Sequence, residues 1–262
     1  MPDAPAADAP VYSFGWLPDS PDARDYRYAV IRATPAANLL DVVDMRNLMP
    51  AVEDQGRFSS CVANALTSAI EFLQLKAGKK HEHNASRMFV YYNARALDNL
   101  QNQDGGCMIR SAIKSTVSSG DCRENKWQYT AANLYKKPGF LARWNAQTHL
   151  VTDYHRVEPG STDELKAALT EGYPVVFGTR LYGSFMNVGK DGMVPMPDEA
   201  ADRPVGQHAM LLCGYNATHF MVLNSWGKGW GDNGYCYIPC EYFIKYKDFS
   251  QDFWVVNNAT LL

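Results

Sequence analysis

The chain has 262 residues, with 28 acidic against 25 basic side chains and a formal net charge of −3. That balance argues against nucleic acid as a partner, which needs a basic surface to displace counterions. With 46% apolar and 20% charged residues, the chain reads as globular rather than disordered. It has no apolar run of the ~18 residues a membrane helix needs, so no membrane partner is expected. The opening MPDAPAADAP lacks a cationic and an apolar leader region, so a cytoplasmic location is expected. A core of this size needs no staples, and the six cysteines read as free thiols. Only Cys236 and Cys240 lie close together, and His81-Glu82-His83 reads as a solvated turn, so neither metal nor cofactor is expected. A monomer is expected.

Residues 1–10 cannot pack. Residues 11–43 form an irregular strap, with Tyr12, Phe14, Trp16, Leu17, Tyr26, Tyr28, Val30 and Ile31 as apolar anchors and Pro18 and Pro21 forbidding a long helix. A buried helix starts near Ser60 and stops at Gly78. A second runs from Ser86 to Leu100, and a third from Ile109 to Ser119, ending at Gly120. Residues 121–160 show no period. Ser161-Thr162-Asp163-Glu164 is a capping box, with the hydroxyl on the Glu164 amide and Glu164 reaching back. Strands follow at 174–177, 208–213, 220–223, 235–238 and 253–256. A helical front and a strand-rich back imply an α+β fold, divided as strap 1–43, helical subdomain 44–150 and β subdomain 151–262, with a cleft between the last two.

Cys61 opens the first helix, where the macrodipole favours a thiolate, the nucleophilic form. Taken alone it reads equally as a small buried hydrophobe. His208 opens an apolar strand, and Asn224 stands sixteen residues on. A hairpin at 214–218 brings the two together, so that an Asn oxygen can accept an imidazole N–H.

The segments Gln55-Gly56 to Ser60-Cys61, Gly206-Gln207-His208-Ala209 and Asn224-Ser225-Trp226-Gly227 through Gly234-Tyr235 resemble the papain-like cysteine proteases. The last motif is the specific one, with nine matching residues in twelve positions. The lead-in Gly15-Trp16-Leu17-Pro18-Asp19, with Arg24-Asp25-Tyr26, looks like a bacterial branch of the xylellain type. The resemblance implies a papain-like fold, with a β-barrel-like second subdomain, and hydrolysis of peptide or protein substrates. It makes Cys61 the nucleophile, His208 the base and acid, Asn224 its orienting group and Gln55 an oxyanion donor beside the Cys61 N–H. It implies that Trp226 shields the His–Asn contact and that Gly105, Gly106, Gly206 and Gln207 line the substrate backbone. Acyl transfer on the same site, or peptide binding without catalysis, are the alternatives. Val62 and Phe58 depart from the family pattern, in which an aromatic residue and a disulfide cysteine are common at those places. The strap has two readings. It packs on the body away from the cleft, or it runs through the cleft as an intramolecular partner.

Overall fold

The computed structural model describes residues 12–25, 27–28, 38–78, 84–198 and 200–259. The expected disorder of residues 1–10, the anchors Tyr26, Val30 and Ile31, and the turn at 81–83 lie outside them. In chain order the elements are β1 (Trp16–Leu17), β2 (Val43–Asp44), α1 (Cys61–Lys76), α2 (Arg87–Leu97), β3 (Cys107–Met108) and α3 (Ile109–Ser119). There follow α4 (Phe140–Ala146), β4 (Val151–Val157), α5 (Thr162–Thr170), β5 (Val175–Tyr182) and α6 (Gly183–Met186). The chain ends with β6 (Pro204–Tyr215), β7 (His219–Leu223), β8 (Tyr235–Pro239), α7 (Cys240–Lys245) and β9 (Ser250–Ala259).

Thirteen of the sixteen residues of α1 are buried. A helix apolar around most of its circumference needs partners on both sides, and α1 has them, with α2 and α3 against one side and β5, β6 and β9 against the other. The sheet is seven-stranded and antiparallel, in the order β4-β9-β5-β6-β7-β8, with β2 also on β6. Its core side is aromatic, where Phe177 stacks on Phe253 at 5.8 Å and meets Phe243 edge-on at 5.3 Å. Together α1 and this sheet carry the candidate site.

Several elements depart from the sequence expectation. The second helix stops at Leu97, because Asn99 takes φ 60° and Leu100 N–H turns back to the Arg95 carbonyl. Residues 121–160 hold α4 and β4, neither of which shows a periodic signal. The capping box is half formed. Ser161 Oγ accepts from Glu164 N at 3.3 Å, but the Glu164 carboxylate takes the Glu158 N–H at 3.4 Å. His208 does not open its strand, since β6 begins at Pro204. The polar start of that strand, with Val205 exposed, hides it from a pattern search.

Candidate active site

The loop ahead of α1 is tied to the segment after β7. Gln55 N–H donates to Ser225 O at 2.9 Å, and Gly227 N–H donates to Glu53 O at 3.0 Å. Gln55 is fully buried, and its Oε1 accepts the Ser225 hydroxyl at 2.7 Å. This fixes the amide so that Nε2 points outward, donating to Phe58 O at 2.9 Å and to Ser13 O at 3.0 Å. Ser225 escaped sequence reasoning, although it stands inside the most specific motif.

On β6, His208 is fully buried. The β6–β7 register sets Leu211 opposite Leu223, which brings Asn224 beside it. Asn224 Oδ1 lies 2.8 Å from His208 Nε2 and also accepts the Ser225 N–H at 2.8 Å. Oδ1 therefore accepts from Nε2–H, leaving Nδ1 as the basic nitrogen, and Nδ1 has no hydrogen-bond partner. The Trp226 indole covers the imidazole at 4.8 Å between centroids. The Ala209 N–H reaches Cys61 Sγ at 3.4 Å, so the thiol sits at the same point of β6. The structure thus gathers Cys61, His208, Asn224, Gln55 and Trp226 into one cluster.

The expectation of a dipole-stabilised thiolate does not hold for this conformation. Burial pushes the Cys61 thiol up to about 12, against the pull of backbone N–H groups from Ala209, Val62 and Gly15. Burial likewise drives His208 down to about 4, against the Asn224 contact. Desolvation penalises either charged form by more than one helix terminus returns. Both shifts disfavour the charged pair in this conformation.

The groups that bury it belong to the strap. Gly15 N–H donates to Gln207 O at 3.1 Å, and Cys107 N–H donates to Gly15 O at 2.9 Å, extending into the parallel β1–β3 pair. Tyr12 stacks on Trp226 at 4.3 Å, and Phe14 meets His208 edge-on at 6.1 Å. A Cβ on Gly15 would stand 1.9 Å from Ser59 O, one on Gly206 2.4 Å from the Phe14 ring, and one on Gly106 2.1 Å from Gly15 O. Of the expected substrate-lining residues, Gly106, Gly206, Gln207 and Trp226 touch this backbone or its side chains, whereas a Cβ on Gly105 would meet nothing within 4 Å. The Gly106 N–H goes to Tyr91 OH at 3.1 Å, so Cys107 supplies the donor instead.

Beyond the cleft the strap is pinned by a buried ionic cluster. Trp16 and Asp19 donate from Nε1 and N to Asp252 Oδ2 at 3.1 and 2.6 Å. Asp19 accepts from Arg110 N at 3.1 Å and from Trp254 Nε1 at 2.9 Å. Arg110 and Arg156 both reach Asp25, and Arg156 also reaches Asp252 at 2.9 Å. Burial, and then the charge on Asp19, hold the Asp252 carboxyl up at about 7. The only sequence signal for this cluster is the pair of strap aspartates, because their partners lie far along the chain. Among the described residues no group of three or more His, Cys, Asp or Glu is placed to hold a metal ion, and all six cysteines are free.

The family model described as papain family cysteine protease matches residues 38–246. The chain belongs to the papain family of cysteine proteases. Xylellain, a cysteine protease from Xylella fastidiosa, is 36% identical and superposes with a TM-score of 0.86, covering 94% of this chain and 96% of that one. An uncharacterized peptidase C1-like protein of Acanthamoeba polyphaga mimivirus is 31% identical over 95% of this chain and 88% of its own length. A cysteine protease of Carica candamarcensis, 18% identical with a TM-score of 0.65, covers 84% of this chain and all of its own and shares the fold. In this papain-family protease the helices and the antiparallel sheet therefore form the papain-like α+β fold.

Proposed function

We infer that this protease cleaves peptide bonds through an acyl-enzyme on Cys61 and is held latent by its own residues 12–17. What carries the reading is that a peptide backbone already lies on the donors and acceptors that a substrate would use. The Ser13 carbonyl sits on Gln55 Nε2 at 3.0 Å, and the Gly15 N–H sits on Gln207 O at 3.1 Å.

With that backbone displaced, water returns and the thiol can pass its proton to His208 Nδ1. The sulfur attacks the substrate carbonyl carbon, and the oxygen that turns negative is met by Gln55 Nε2 and the Cys61 N–H. As the C–N bond breaks, His208 returns the proton to the leaving amine. Water, deprotonated by His208, then opens the thioester, releasing a carboxylic acid and restoring the thiol. Asn224 holds the ring so that Nδ1 keeps the transferable proton.

The test is hydrolysis of fluorogenic dipeptides by the full chain carrying Trp16→Ala, against the same chain with Cys61→Ser added. Activity that disappears with the serine supports the reading. Activity that survives it refutes Cys61 as the nucleophile.

A further inference from the structure

Helix α4 is amphipathic in the reverse sense. Its inward side is small, with Ala142 and Ala146 buried, while Phe140, Leu141 and Trp144 stand 71%, 71% and 68% exposed. Tyr135, just upstream, is 53% exposed. The helix is held firmly in this pose. Asn145 Oδ1 takes the Arg123 N–H at 2.9 Å, and the Ala146 carbonyl lies so close to Gly120 that a Cβ there would stand 1.9 Å from it. The three large side chains therefore face water by construction. Grouped exposed apolar residues of this size mark a contact surface rather than chance.

Along this stretch of chain the charge is one-sided. From Asn125 to Thr152 the chain holds Lys126, Lys136, Lys137 and Arg143, all exposed, and no carboxylate side chain, in a chain whose net charge is −3. The flanking acids are engaged, Glu124 with the Tyr129 N–H and Asp153 with His155.

We propose that α4 and the Lys136–Lys137 turn dock this protease on an anionic lipid surface, with Phe140, Leu141 and Trp144 in the headgroup boundary. Three exposed apolar side chains within five residues of one helix suit a deformable bilayer. Lysines flanking them are disfavoured at protein–protein contacts but usual where cations lie against lipid phosphates. Tryptophan prefers the same interfacial depth. The expectation of no membrane partner rested on the lack of a spanning segment, and indeed no described helix is long and apolar enough to cross a membrane. A peripheral contact needs none.

The experiment is co-sedimentation of the full chain with phosphatidylcholine vesicles, with and without phosphatidylserine, at low and high salt. Binding is expected to the anionic vesicles only. It should fall about tenfold or more in the double variant Phe140→Ser/Trp144→Ser, and about fivefold for each of Lys136→Gln and Lys137→Gln. Unchanged melting temperature and dipeptide hydrolysis in these surface variants keep the comparison clean. The proposal is overturned by three results: no vesicle binding, equal binding to neutral vesicles, or a wild-type dimer in solution that the double variant converts to monomer. The last would make the patch an interface between copies.

Discussion

Replacing Trp16 with alanine should switch the protease on. The indole is 3% exposed and lies over Gly178, where a Cβ would stand 2.1 Å from the ring. Its pocket floor is therefore backbone, which cannot collapse to fill the hole. Emptying such a site costs about 3–5 kcal/mol, and Trp16→Ala also removes a donor to Asp252. Almost all of that cost falls on the docked strap, because the indole is the strap's own side chain. At about 1.4 kcal/mol per tenfold, the population with an open cleft rises by roughly a hundredfold or more. Hydrolysis of a small fluorogenic dipeptide, limited in the wild type by that population, should rise by the same factor until the cleft is fully open. Labelling of Cys61 by a peptide epoxide should rise in parallel. A melting temperature that falls while both rates stay at the wild-type level would refute the argument, since the strap would then be a structural brace and not a gate.

Gly15→Ala should give a similar gain by another route, because the new Cβ meets the Ser59 carbonyl at 1.9 Å and the strap cannot seat. Inhibition by a synthetic peptide covering residues 12–25, added in trans, should then fail when the peptide carries the same substitution. In a Trp16→Ala background, Gln55→Ala should lower kcat about 10²–10³-fold with little change in KM, because the Nε2 donor acts on charge that appears only during reaction. Strap docking should depend on pH through Asp252, whose carboxyl is held up at about 7 while the strap is seated. Released, it returns toward an ordinary carboxyl, so the seated form binds the extra proton. Docking is strongest in acid and weakens as pH rises from the ordinary carboxyl range to about 7, above which it levels off. The activity of wild type relative to Trp16→Ala should therefore rise over that range, and Asp252→Asn should flatten the rise.

The cluster of Cys61, Gln55, His208 and Asn224 was legible because its residues sit in compact motifs on elements with strong patterns, a buried helix and a β-hairpin. The sheet strands were legible at their apolar centres and not at their ends. β6 carries Pro204 and exposed Val205 at its start, and these interrupt the pattern although the backbone stays paired. α4 was invisible for a different reason. Its apolar residues face outward, so the usual equation of apolar face with core gives the wrong phase. The Asp19, Asp25, Arg110, Arg156 and Asp252 cluster was legible only at its two strap aspartates, because its ion pairs span as many as 131 residues of sequence, and only the fold brings them together. The protonation state of Cys61 misled for a physical reason. A helix terminus is visible in sequence, but the water excluded by Phe14 and Gly15 is not.

That exclusion links the proposed latency to chemistry. A strap that merely filled the cleft would leave a charged thiolate–imidazolium pair behind it, ready to react with any small electrophile that slipped past. Here the same backbone that fills the cleft also strips the pair of solvent, and burial sets the thiol at about 12 and the imidazole at about 4. Both shifts disfavour the charged pair while the cleft is covered, and a neutral thiol is a poor nucleophile. Opening therefore supplies two things in one motion, access for the substrate and the water that permits ionisation. On the proposed latent reading, the gate and the activation of the nucleophile are one equilibrium, its position set by how well Trp16, Asp19 and Asp25 hold the strap to the sheet and to α3.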